Sequence, residues 1–181
     1  MSGERPGGDG ALPVGSDVLL LKLDPQGRLL WRQTWGTPQG DGAYAIAIDP
    51  SDGSLVLVGE TGGNMLTGTA ENSVDAFVMK VTPGRDTVWI KQLGSCGFDG
   101  ARDVAIDADS RVFVTGYFNS LNDSGCGGSR GQALAAGFSA EGHLLWYELH
   151  GTGSAYRAGG VSLALTSDER SVMITGDHLS A

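Results

Sequence analysis

Two Asp-Gly pairs, Asp41-Gly42 and Asp99-Gly100, stand at matching places in the 181-residue chain. A ring of carboxylates on one rim would suit calcium or ligand binding, or general acid–base chemistry if partnered. The plainer reading, an aspartate bonded to local backbone and a glycine allowing a turn, is favoured. "DPSDGS", Asp49 to Ser54, lacks the D-x-D-x-D-G spacing and terminal glutamate of a calcium loop, so it reads as a hairpin turn. Trp35, unlike the other three tryptophans, recurs nowhere in the chain. With Tyr44, Tyr117 and Tyr156 it offers aromatic surface to a carbohydrate or peptide, against the alternative of packing on a neighbouring sheet. Trp35, Tyr117 and Tyr156 are the candidate ligand-binding residues.

No catalytic or metal site is assigned, and no cofactor is implied. His143, His150 and His178 fall in a turn, a loop and the tail, without partners at catalytic or metal-ligand spacing. "GSCGF" is not a nucleophile elbow, and "GTGSAYRAGG" fails the dinucleotide-binding spacing. Asn122-Asp123-Ser124 is a glycosylation sequon, meaningful only on a eukaryotic secretory route.

These residues must be positioned by a scaffold rich in turns. The chain has 30 glycines and 18% charged residues, which suits an all-β protein. Its 21 acidic against 12 basic residues give a net charge of −9 with no basic cluster, which argues against nucleic acid and anionic membranes as partners. No apolar run reaches the roughly 18 residues of a membrane span. Residues 1–16 lack a secretory h-region and read as a flexible Gly/Pro-rich lead-in.

The chain then repeats. "DVLLLKLDPQGRLLW" (Asp17 to Trp31) returns as "DAFVMKVTPGRDTVW" (Asp75 to Trp89) and, decayed, as "QALAAGFSAEGHLLW" (Gln132 to Trp146). The tryptophans are 58 and 57 residues apart. "GDGAYAIAID", "FDGARDVAID" and the weaker "GGVSLALT" follow, then "LVLVG", "VFVTG" and "VMITG". Each copy holds four strand-like segments, the first two and the last two joined by turns such as Asp24-Pro25-Gln26-Gly27. In the third segment Tyr44, Ile46 and Ile48 alternate with Ala43, Ala45 and Ala47, which suits strands between stacked sheets. The recurring tryptophans fit stacking between such sheets.

The expected architecture is a β-propeller-like array of three four-stranded antiparallel blades over 17–181, with repeats at 17–74, 75–131 and 132–181. Strand parity gathers the tight turns at one end. The longer connections, Gly36–Gly40, Glu60–Val74, Gly94–Phe98, Tyr117–Gly131 and Gly151–Tyr156, lie at the other, where binding is expected. Cys96 and Cys126 fall at that same end of one repeat, so a disulfide is allowed beside the alternative of two free thiols.

The pattern D-x-F-V-x-K-[LV]…W…DGA-x-x-[IV]-A-I-D…V-x-V-T-G resembles the bacterial-type β-propeller repeat family known as SBBP. The third copy departs from it, with Gln132 for the aspartate and Gly137 for the lysine. The resemblance implies a propeller fold, frequent in secreted or surface proteins, and no catalytic residues. Closed propellers have about four to eight blades. Three blades therefore imply a segment of a larger propeller, two chains in one ring, or an open array, and the ending "MITGDHLSA" favours the segment. The function expected is a non-enzymatic module that binds or scaffolds a protein or carbohydrate at an extracellular or cell-surface location. The alternative is a propeller-fold hydrolase or lyase using Asp41 and Asp99.

Overall fold

Side chains that can close a turn set each hairpin. At the first, the Asp24 carboxylate accepts hydrogen bonds from the backbone N–H groups of Gln26 and Arg28, both at 2.9 Å. Gly27 there takes φ +79° and donates its N–H to the Asp24 carbonyl. Gly142, at φ +80°, repeats this in the third copy. The second copy puts Arg85 at φ +78° instead, not the neighbouring Gly84. A left-handed conformation costs a residue with a side chain about 1 kcal/mol. Part of that is returned by the Arg85 guanidinium lying 5.4 Å from the centroid of the Trp31 ring.

The computed structural model describes residues 15–67, 69–94, 97–119, 131–151 and 158–178. Among them are twelve strands and no helix. β1 (Val18–Leu23) and β2 (Leu29–Trp35) form a two-stranded sheet. β3 (Asp41–Ile48), β4 (Leu55–Asn64), β5 (Thr69–Val81) and β6 (Thr87–Leu93) form a four-stranded antiparallel sheet in chain order. β7 (Gly100–Ile106), β8 (Val112–Asn119), β9 (Gly131–Phe138) and β10 (Leu144–His150) form a second. β11 (Ala158–Leu165) and β12 (Val172–His178) make the last pair.

Three four-stranded sheets, one per sequence copy, were expected; two such sheets and two pairs are found. Each complete sheet joins the last two strands of one copy to the first two of the next. The segment Glu60–Val74, expected as a long loop, is mostly strand. β4 pairs with β5 from Leu55↔Val81 out to Asn64↔Thr69, with residues 65–67 in a turn after β4. Continuing the ladder satisfies backbone N–H and C=O groups that a loop would have to solvate. A sequence repeat fixes the period of a structure but leaves its phase open.

The core lies between the sheets. Along β5, Phe77, Met79 and Val81 face the β1–β2 pair, packing with Val18, Leu20 and Leu57. Ala76 and Val78 face the second four-stranded sheet, packing with Val112, Leu134 and Phe138. A strand covered on both faces reads as a continuous apolar run, as "AFVMKV" does. Trp89 is buried in the same cluster. Its ring stacks on Phe138 at a centroid distance of 6.3 Å, and its Nε1–H donates to the Ala140 carbonyl. A Cβ on Gly142 would come within 2.6 Å of that ring, so this glycine serves packing as well as φ.

Inside the apolar run, Lys80 is buried with its Nζ 2.8 Å from Asp49. Burial pushes the Asp49 carboxyl up, but the Lys80 bond and hydrogen bonds from Ser51 and Ser110 outweigh it and hold the group well below its ordinary value. "DPSDGS" is indeed a hairpin turn, and Asp49 anchors it to the next sheet through Ser110.

Candidate functional site

One irregularity recurs in every third-to-fourth-strand pairing. Between Ala43 and Ala45 the register of β3 on β4 slips, leaving Tyr44 as an extra residue. The same bulge leaves Arg102 extra in β7 and Val161 in β11. Opposite each bulge stands the glycine that ends the β-branched run: Gly59, Gly116 and Gly176. A Cβ on any of them would collide with the backbone carbonyl of Gly42, Gly100 or Gly159. These glycines are therefore close-approach positions that make the bulge sterically feasible. Bulges re-aim side chains, and here they turn Tyr44 and Arg102 toward the seam between the two four-stranded sheets.

Glu60 of β4 and Tyr117 of β8 occupy the position just after those glycines, and they meet at the same seam. The Tyr117 hydroxyl donates to Glu60 Oε1 at 2.5 Å and the Tyr44 hydroxyl to Oε2 at 3.1 Å. The Arg102 guanidinium lies 3.0 Å from Oε1. It stacks 4.1 Å from the Tyr44 centroid and 5.0 Å from that of Tyr117. Glu60 is fully buried, whereas the Arg102 side chain keeps 33% of its surface in solvent. Gly100 allows this approach, since a Cβ there would stand 2.5 Å from Glu60 Oε1. The glycine of the second Asp-Gly pair thus serves as clearance between sheets.

Burial raises both phenols above their ordinary value, and the adjacent Glu60 carboxylate adds to it. Both tyrosines are therefore neutral hydrogen-bond donors at physiological pH. The result is a braced platform of two aromatic rings with a guanidinium between them. Its Tyr44 side is open to solvent.

Of the residues expected from sequence, Tyr117 and Tyr44 are brought together here. Trp35 is not part of this seam: it pairs with Val18 and packs against the core between β1–β2 and the first four-stranded sheet. Tyr156, Cys96 and Cys126 lie outside the described residues. Asp41 and Asp99 brace the connections between sheets. Asp41 accepts from the Thr37 N–H at 2.5 Å and from the Thr37 and Thr61 hydroxyls, and Asp99 accepts from the Asn119 N–H at 2.7 Å. Among the described residues no group of three or more His, Cys, Asp or Glu is gathered as a metal-ligand set.

Sequence reasoning missed Glu60 and Arg102. The signal for them was a mismatch between copies. Glu60 and Tyr117 hold one repeat position, and Tyr44 and Arg102 another, so unlike residues at equivalent places complement each other across a seam. Compared with protein-family models and with curated proteins, the chain matches none.

Proposed function

We propose that this chain is a β-propeller-type repeat module without catalytic activity, which binds a protein or carbohydrate ligand at the seam between its two four-stranded sheets. The carrying observation is the Tyr44–Arg102–Tyr117 platform, which the recurrent bulge presents and the buried Glu60 braces. Aromatic faces pack on the C–H faces of sugars or on apolar peptide side chains, and a guanidinium supplies donors to hydroxyls or carboxylates. Holding both rings and the cation in place beforehand lowers the ordering cost of binding. The propeller assignment and the extracellular or surface location rest on the repeat pattern quoted above and on its resemblance to SBBP repeats.

A hydrolase or lyase would draw on Asp41 and Asp99 as acid and base. Both oxygens of Asp41 are engaged by Thr37 and Thr61, and Asp99 holds the Asn119 backbone, so these carboxylates are better accounted for as braces. The test is retention on arrays of neutral oligosaccharides, acidic oligosaccharides and peptides. At least one probe should bind the wild type and lose about tenfold or more in affinity with Tyr44→Ala and with Arg102→Gln, at unchanged circular dichroism. Binding indifferent to both substitutions, or no retained probe at all, refutes the proposal.

A further inference from the structure

The two strand pairs at the ends of the array are halves of one sheet. β11 and β12 are the counterparts of β3–β4 and β7–β8, the first two strands of a complete sheet. β1 and β2 are the counterparts of β5–β6 and β9–β10, the last two. In both complete sheets the second strand pairs with the third, yet among the described residues β12 and β1 each pair on one side only. β1 is moreover an apolar edge, "VLLLKL", with a single charge to guard it.

The faces of these halves complement each other as well. On β1, Leu19, Leu21 and Leu23 are 53%, 47% and 52% exposed, while their counterparts on β5, Phe77, Met79 and Val81, are each fully buried against the preceding sheet. A cleft of about 430 Å³ opens at the other end, walled by Ala133 and Ala135 of β9 and by Ile174 of β12. The counterparts of these alanines are Ala76 and Val78, which are covered by Leu134, itself the counterpart of Leu19. Among the described residues, half-exposed leucines thus stand at one end and small alanines beside a cleft at the other.

We infer that two copies of this chain pair β12 of one with β1 of the other, at both junctions, into a closed ring of six four-stranded sheets. Each copy supplies two complete sheets, and the four remaining halves make two more. The register follows from the complete sheets, where Gly59 faces Phe77 and Gly116 faces Leu134. Gly176 then faces Leu19, Ile174 faces Leu21 and Val172 faces Leu23 of the second copy. Leu19 and Leu21 enter the cleft, and the edge N–H and C=O groups of both strands are satisfied. The arrangement is a head-to-tail contact that closes after two steps, which a twofold axis permits. Six sheets lie within the range over which propeller-like rings close.

This inference goes beyond ligand binding. No residue of β1 or β12 takes part in the Tyr44–Arg102–Tyr117 contacts, so a chain that pairs but retains no probe loses only the binding proposal. The experiment is light scattering on the full chain with hydrogen exchange at two concentrations. The expected result is a mass twice 18.7 kDa, with those amides of Val18–Leu23 and Val172–His178 that point away from β2 and β11 protected only at the higher concentration. Leu21→Lys and, from the other side, Met173→Lys should each raise the concentration for half-dissociation at least about tenfold. Both residues are exposed in the single chain, so its own core is unaffected. A mass other than the pair's, unprotected edges within a pair, or a pair indifferent to both substitutions overturns it.

Discussion

Glu60→Gln isolates the charge that holds the seam between the two four-stranded sheets. The carboxylate is fully buried and accepts from two phenols while facing one guanidinium. Glutamine keeps the shape and one acceptor oxygen, and both hydroxyls can rotate to suit its amide. What is lost is the negative charge opposite Arg102. Removing one partner of a buried ion pair costs about 3–5 kcal/mol. Arg102 is one-third exposed and can turn to water, so the expected loss is reduced to about 1–2 kcal/mol. Glu60→Ala strands both phenols and opens a cavity, so it should lose about 3–4 kcal/mol. Urea denaturation at neutral pH measures both. Tyrosinate absorbance against pH gives an independent reading, with Tyr117→Phe assigning the curve. Burial and the carboxylate together raise the folded values of Tyr117 and Tyr44, so their contribution to stability is full below pH about 10 and is lost as pH rises through those folded values. In Glu60→Gln the part due to charge disappears, and the alkaline limb should shift to lower pH. A tyrosinate curve that overlays the wild type, together with a stability change under about 0.5 kcal/mol, would falsify the account of Glu60 as the brace.

Three further substitutions separate other contributions. Lys80→Met leaves the buried Asp49 charge with only its serine donors and should cost about 3 kcal/mol by chemical denaturation. The folded pKa of Asp49 is depressed, so its stabilising effect is present above the ordinary carboxylate value and fades as pH falls toward the folded one; without Lys80 the acid unfolding midpoint should move up. Gly27→Ala and Gly142→Ala impose the same left-handed strain, about 1 kcal/mol each. Only Gly142→Ala also displaces the Trp89 ring, for a total of about 2–4 kcal/mol, and equal losses in the two variants would refute the packing role of Gly142.

Much of the local structure was legible in the residues. Alternating apolar runs between turn formers marked the strands, because the pleat repeats every second residue and a turn needs residues that tolerate left-handed backbone or bond to it. Gly27 behaves as its turn required, and the recurrent tryptophan led to Trp89 stacked between sheets. The platform was only half visible. Tyr44 and Tyr117 stood out as aromatic, but Glu60 looked like the start of a loop, since nothing local distinguishes a buried glutamate from a solvated one. Lys80 is ambiguous in the same way, since only the fold sets Asp49 beside it.

The sequence by itself determined the period, most of the strands, the turns within each copy and the glycine that ends each β-branched run, because these depend on backbone sterics within a few residues. Only the tertiary structure decided the phase, that is, which two copies share a sheet. Both phases satisfy the same local preferences, and they differ only in whether β4 continues into β5 through a ladder from Leu55 to Asn64. That choice also decided the site. Equivalent positions of neighbouring copies face each other across a seam, so Glu60 meets Tyr117 and Arg102 only once the sheets are stacked.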